Sequence, residues 1–322
     1  MADYINIRGQ SIEVVASDPA NPTLGQIWYN STSNTLKGQG LGVASWATGN
    51  NMGTARYALA GAGTQTAALG FGGYTTTSQS ATEEYDGSTW TTSPPGLNTA
   101  RYSLGGLGTQ TAALAFGGST GSAIGATEEY DGTNWATNPN SLNTARQYLA
   151  GCGTQTAALA FGGNIPSVTG ATEEYDGTNW VTSPGSLNTA RGSGLGGAGT
   201  QTAALAFGGG PPATAATEEY NGSTWTSVNS MNTARQLLAG CGIQTAALAF
   251  GGYDNTSPTG ATEEYDGTSW TTSPASLATA REKLAGAGPQ ALALAFGGNP
   301  GPTAATEEWT GAAPTTVTIT AS

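Results

Sequence analysis

From residue 53 onward the hydrophobic and polar positions fall into one repeating phrase. At its clearest it reads Asn-Thr-Ala-Arg (143–146), Gly-Thr-Gln-Thr-Ala-Ala-Leu-Ala-Phe-Gly-Gly (153–163) and Ala-Thr-Glu-Glu-Tyr-Asp-Gly-Thr-Asn-Trp (171–180). The run Ala-Ala-Leu-Ala-Phe is apolar at successive positions instead of alternating, the pattern of a strand covered on both faces. Its alanines let a neighbouring sheet approach closely, and the Gly-Gly pair ends it where a side chain would obstruct a turn. In the second repeat the pattern predicts four strands, lettered A to D, over 101–107, 109–116, 126–131 and 134–137. Asp-Gly pairs begin at residues 86, 131, 176 and 266, and Asn221-Gly222 fills the same place. A tight hairpin that needs positive φ therefore joins C to D and makes the pairing antiparallel.

The period points to the architecture. Arg56, Arg101, Arg146, Arg191, Arg235 and Arg281 are 45, 45, 45, 44 and 46 residues apart, the step of a four-stranded propeller blade. Because such units bury their faces only against neighbours, all 322 residues are expected to form one all-β propeller of four-stranded antiparallel blades. Six repeats are clear over 51–322. Residues 1–50 hold an incomplete echo: Gln26-Ile27-Trp28-Tyr29-Asn30 is similar to strand C, Ser45-Trp46-Ala47 to strand D, and strand-like runs cover 4–8 and 11–16. These four would make a divergent seventh blade, and seven is the favoured count. The alternative is six blades, with N-terminal strands capping the ring or replacing part of the imperfect sixth repeat, and residues 1–50 serving as an attachment segment. The run at 315–320, Thr-Thr-Val-Thr-Ile-Thr, is expected to complete the seam, since an open ring would expose edge strands.

Composition narrows the function classes. Fifty glycines and only 9% charged residues would suggest low complexity, but the glycines recur at fixed repeat positions beside Leu, Phe, Tyr and Trp. The net charge is −12, and six of the nine basic residues are the periodic arginines. No basic surface remains to neutralise phosphates, so nucleic acid and anionic membranes are not expected partners. No run has the length of a secretion signal or a membrane span. Cys152 and Cys241 take the place held by Ala62, Leu107, Ala198 and Ala287. On alternate blades they stand too far apart for a disulfide, and are expected as free thiols that fill space.

Of the 21 acidic residues, 12 belong to six Glu-Glu pairs and four to the Asp-Gly turns. Adjacent residues of a strand point to opposite faces, so one glutamate of each pair can meet an arginine of its own or the next blade. Charges copied evenly around a ring are structural; a catalytic site needs differentiated residues in one place. The six arginines are accordingly expected to hold the fold and to touch no ligand.

A Gly-Gly after a hydrophobic strand, then a Tyr, then a Trp at short spacing resembles the kelch repeat. The marks are Gly72-Gly73, Tyr85 and Trp90; Gly117-Gly118, Tyr130 and Trp135; Gly162-Gly163, Tyr175 and Trp180; Gly208-Gly209, Tyr220 and Trp225; and Gly251-Gly252, Tyr265 and Trp270. The sixth repeat keeps Gly297-Gly298 but has Trp309 at the Tyr position and no later Trp. Kelch propellers host unrelated activities, copper-radical oxidases among them. With no histidine in the chain, the imidazole ligands of such an oxidase and the usual proton shuttle are both missing. The Asp-Gly-x-x-Trp turns differ in spacing from the Asp-box of sialidases. No nucleophile elbow, metal-binding cysteine cluster or phosphate loop is present. The expectation is a protein that is not an enzyme and carries no cofactor or metal, with a divergent carbohydrate-active enzyme a distant third reading.

Sequence freedom is concentrated in the B–C loops, at 74–80, 119–125, 164–170, 210–215, 253–260 and 299–304. In an antiparallel blade these lie on the face opposite the A–B and C–D turns, together with the residues after each arginine. Tyr74, Tyr253, Asp254, Asn164, Tyr57, Tyr102 and Tyr148 are the candidate ligand-binding residues, suited to polar recognition with aromatic anchors that stack on sugar rings. The repeat wording, with the segment from Asp18-Pro19 to Ser31-Thr32, resembles kelch-type structural proteins of tailed bacteriophages, notably of marine bacteria. That resemblance implies a virion protein made in the host cytoplasm and released by lysis: a tail-fibre or particle-surface module that recognises a host surface glycan. The alternative it implies is a structural decoration or connector protein docked to other phage structural proteins.

Overall fold

In the third repeat Ala150–Thr154, Ala157–Phe161, Thr172–Tyr175 and Trp180–Thr182 pair in that order, every pair antiparallel. The same A–B–C–D order recurs in the other repeats of a computed structural model that describes residues 12–93 and 95–319. Gly177, in the C–D hairpin, has φ +90°, as the Asp-Gly signal requires. Strand A starts later than expected, at Gly105 instead of residue 101 in the second repeat. There Ser103 takes a left-handed φ of +53°, which no strand tolerates, and Arg101 turns its side chain inward.

The chain divides into two units, residues 45–310 and the pair of termini 1–44 with 311–322. In the first, strands Ala60–Thr64, Gly105–Thr109, Ala150–Thr154, Gly196–Gly199, Ala239–Ile243 and Ala285–Ala287 lie side by side in sequence order. The last returns to the first and closes a propeller ring. Glycine permits this crowding: a Cβ on Gly151 would sit 2.5 Å from the ring of Phe116 on the preceding blade. Leucine, alanine and aromatic side chains from adjacent sheets fill the space between them, for example Leu159, Phe161, Ala204, Ala206, Tyr220 and Trp225.

Seven four-stranded sheets are present, as the strand count predicts, and six of them form this ring. The sixth is completed by Ser45–Gly49, which pairs Trp46 with Trp309. Ser45–Gly49 thus serves as the fourth strand of the sixth repeat, the chain dividing after residue 44. The terminal run does not close the seam: Pro314–Thr318 pairs with Thr35–Leu41 in the other unit. Trp46 is the tryptophan that the sixth repeat lacks. Its Nε1 donates to Thr262 Oγ1 of the fifth blade at 2.9 Å. Trp90, Trp135, Trp180, Trp225 and Trp270 each donate in the same way to the strand-C threonine of the preceding blade.

The repeated charges are absorbed by the fold. Each periodic arginine pairs with the first glutamate of its own blade, Arg146 with Glu173 at 2.9 Å and the others at 2.8 to 3.2 Å, all buried. Burial pushes the guanidinium pKa down, to about 10 at Arg56, with the Glu83 carboxylate pulling it back. In five blades the second glutamate faces the next blade and accepts from its tyrosine, as Glu84 does from Tyr130 at 2.6 Å; Glu264 is the exception, because the sixth repeat has Trp309 at the tyrosine position. Gln110 adds a further tie, donating to the carbonyls of Ala68 and Tyr85. Cys152 and Cys241 are free and buried, and burial raises both thiol pKa values.

In the terminal unit Glu13–Val15, Ile27–Asn30, Thr35–Leu41 and Pro314–Thr318 form a sheet in that order, the first pair parallel. The expected strand at 4–8 lies outside the described residues. Asp18 organises the unit: its carboxylate accepts from Lys37 at 2.6 Å, Asn30 at 2.7 Å and Trp28 at 3.0 Å. Those bonds, Lys37 first, lower its pKa to about 2. A carboxyl held below its unfolded value of about 3.9 contributes stability above that pH and loses it as pH falls toward 2. Pepsin cutting within residues 12–44 is therefore expected to rise between about pH 4 and pH 2. Asp18→Asn should already show that rise at pH 4, and equal cutting of the two proteins at pH 4 would contradict it.

Candidate functional site

The B–C loops and the connections after each arginine meet around one mouth of the ring. The residue after each arginine bridges antiparallel to the residue after a Gly-Gly pair: Tyr57 with Tyr74, Tyr102 with Ser119, Gln147 with Asn164, Gly192 with Gly210, Gln236 with Tyr253 and Glu282 with Asn299. One step inward, Ala58, Ser103, Tyr148, Ser193, Leu237 and Lys283 all have φ between +49° and +56°. Left-handed backbone at a non-glycine residue costs about 1–2 kcal/mol. A circular chain of hydrogen bonds holds it here. Ser103 N–H donates to Ala58 O, Tyr148 to Ser103, Gly194 to Tyr148, Leu237 to Ser193, Lys283 to Leu237 and Ala58 to Lys283, at 2.8 to 3.3 Å. Residues of this ring and the leucines that follow line a half-open central chamber of about 110 Å³.

Strained backbone held by its surroundings is a mark of binding sites, and at this mouth the side chains depart from sixfold repetition. The rings of Tyr57 and Tyr74 are 5.6 Å apart, and those of Tyr74 and Tyr102 are 5.0 Å apart in an edge arrangement. The Lys283 ammonium lies 5.5 Å from the Tyr57 ring centroid and 3.5 Å from Glu282. Asn299 donates to Glu282 at 3.2 Å and holds that buried carboxylate in place.

Three of the seven expected residues, Tyr57, Tyr74 and Tyr102, thus form one cluster across the first two blades. Tyr148 stands in the left-handed ring and lines the central chamber. Tyr253 and Asp254 belong to the fifth blade and Asn164 to the third. Asp254 is engaged within its own loop, accepting from Thr256 and Ser257, which lowers its pKa to about 2. Asn164 Oδ1 lies 2.0 Å from where a Cβ on residue 192 would stand, so a side chain at Gly192 would push the Asn164 amide aside.

Lys283 is the member that sequence reasoning missed; Glu282 was expected at this mouth, as one of the residues after each arginine, but not among the ligand-binding set. The signal was present: the six copies serve as their own alignment. Lysine replaces Ala58, Ser103, Tyr148, Ser193 and Leu237 at the equivalent position, and it is the one basic residue of 45–310 outside the arginine series.

Fold and mouth together define the class, an all-β propeller with an asymmetric aromatic and charged cluster on a sixfold frame. A scan against protein-family models matches none, and a search of curated proteins finds no similar sequence.

Proposed function

We propose that the protein is a non-enzymatic recognition module that binds a glycan at the mouth of its propeller. The observation that carries this reading is the cluster of Tyr57, Tyr74 and Tyr102 beside Glu282 and Lys283. Half-buried tyrosine rings offer flat faces to sugar C–H groups and keep a polar tip for water or hydroxyls. The neighbouring carboxylate and ammonium supply an acceptor and donors for ring hydroxyls, the few placed polar groups that fix orientation in a site. All five residues stand on backbone fixed by paired hydrogen bonds, so ligand capture needs little ordering of the protein.

The Gly-Gly, Tyr and Trp pattern resembles the kelch repeat, and the wording of the repeats resembles virion proteins of tailed bacteriophages. On that ground we assign the module to a particle surface, as a tail-fibre or surface component that contacts host glycans in several copies. The test is binding of labelled protein to a glycan panel and to marine bacterial cells, beside a Tyr74→Ala/Tyr102→Ala variant with unchanged melting. Affinity is expected to fall about tenfold or more. Undiminished binding by the variant would remove the cluster from the site, and no binding by the parent protein would favour a structural decoration or connector role.

A further inference from the structure

We infer that the terminal unit joins two copies of this chain edge to edge through the strand Pro314–Thr318. That strand is last in its sheet, and all five of its residues are exposed. Its two sides can be told apart. Ile319 N–H donates to Leu36 O, and Ala313 O accepts from Gly42, so the odd-numbered residues turn their backbone groups toward Thr35–Leu41. By the alternation of an antiparallel pair, Thr316 and Thr318 turn N–H and C=O outward, with no partner among the described residues.

Exposed edges are normally blunted by lysine, by mid-strand proline or by a bulge. This one carries none of these: residues 309–322 contain no charge, and the proline is the strand's first residue. The same unit holds six of the nine large exposed hydrophobic residues among those described: Ile12, Val14, Leu24, Leu41, Val43 and Val317.

Charge indicates what covers the edge. Of 21 acidic and nine basic residues, residues 1–44 and 311–322 contain only Asp3, Glu13, Asp18, Arg8 and Lys37, which leaves 18 acids against seven bases on residues 45–310. The propeller repels its own copies, whereas the terminal unit is nearly neutral and can meet itself without that penalty. An antiparallel pair between identical strands is self-complementary and closes at two copies about a twofold axis, so a second copy satisfies the edge fully. The pair would also give two propeller mouths per particle.

The experiment is the solution mass of the full chain over a dilution series, for the parent, Thr316→Pro and Val317→Lys. The proline removes an outward N–H and leaves every backbone bond to Thr35–Leu41 in place, losing there only the Thr316 hydroxyl's bond to Gln39 Oε1; the lysine adds an edge charge. The parent is expected at twice the 32.0 kDa chain mass, and both variants at the single mass with melting unchanged. A parent that stays monomeric at every concentration overturns the proposal, as does a folded Val317→Lys that remains dimeric. Should Thr316→Pro fail to fold, Val317→Lys alone decides.

Discussion

Arg146→Ala is expected to lower the melting temperature of the propeller by about 10 °C, because it leaves a buried carboxylate without its cation. Arg146 Nη2 meets Glu173 Oε1 at 2.9 Å, and Nη1 donates to the carbonyls of Gly162 and Ala171 at 3.0 and 2.6 Å. Glu173 Oε2 in turn accepts from Asn143 N–H at 2.6 Å and so ties the incoming connection to strand C. Breaking a buried pair by removing one partner costs about 3–5 kcal/mol, and a domain of this size shifts by about 2–4 °C per kcal/mol. Arg146→Lys is expected to recover only part of the loss, since a point-like ammonium cannot serve three acceptors in the geometry of a planar fork. Thermal unfolding by circular dichroism reads the effect, and a shift under about 2 °C would mean that the pair adds nothing. Glycan binding by the still-folded variant should stay at the parent level, which separates this residue from the tyrosine cluster.

That expectation could be formed without coordinates because repetition makes some chemistry visible. An arginine and a Glu-Glu pair copied six times at fixed spacing must meet in the same way six times, and strand alternation chooses which glutamate is available. The hairpins were legible for a related reason: Asp176-Gly177 has few backbone alternatives. What repetition hides is the point where a ring closes. Ser45–Gly49 lies far in sequence from Thr306–Thr310, and its pairing partner shows itself only through Trp46, which reads equally well as part of an extra blade. The mouth was half visible. The variable B–C loops pointed to Tyr74 and the varying positions after each arginine to Tyr57 and Tyr102, but the left-handed ring that presents Tyr148 and Lys283 has no residue signature, because alanine, serine, tyrosine, leucine and lysine all occupy it. Its cause is the circular set of hydrogen bonds, a property of the closed ring.

Closure also makes Trp46 the most consequential tryptophan. Its ring packs 5.1 Å from Phe250 and 5.3 Å from Trp309 while its Nε1 bonds Thr262, so one side chain joins the chain-distant strand to both the fifth and sixth blades. Trp225 makes the equivalent contacts with Phe161 and Thr172, but its strand is continuous in sequence with the rest of its own blade. Truncating a packed tryptophan costs about 3–5 kcal/mol, so both Trp46→Ala and Trp225→Ala should melt about 10 °C lower. Their failure should differ in kind. With Trp225 removed, the short Asn221-Gly222 hairpin keeps strand D beside strand C. With Trp46 removed, no hairpin returns Ser45–Gly49 to its partner, and its nearby anchors are those of residues 50–53 to Ser88, Ala304 and Glu83; the backbone edge of Thr306–Thr310 is then laid bare as a template for other chains. Light scattering measured during a slow temperature ramp is expected to rise below the melting transition for Trp46→Ala and only with it for Trp225→Ala. Coincident onsets in the two variants would show that the seam is no weaker than any other blade, and that ring closure is held by the inner strands and not by the borrowed one.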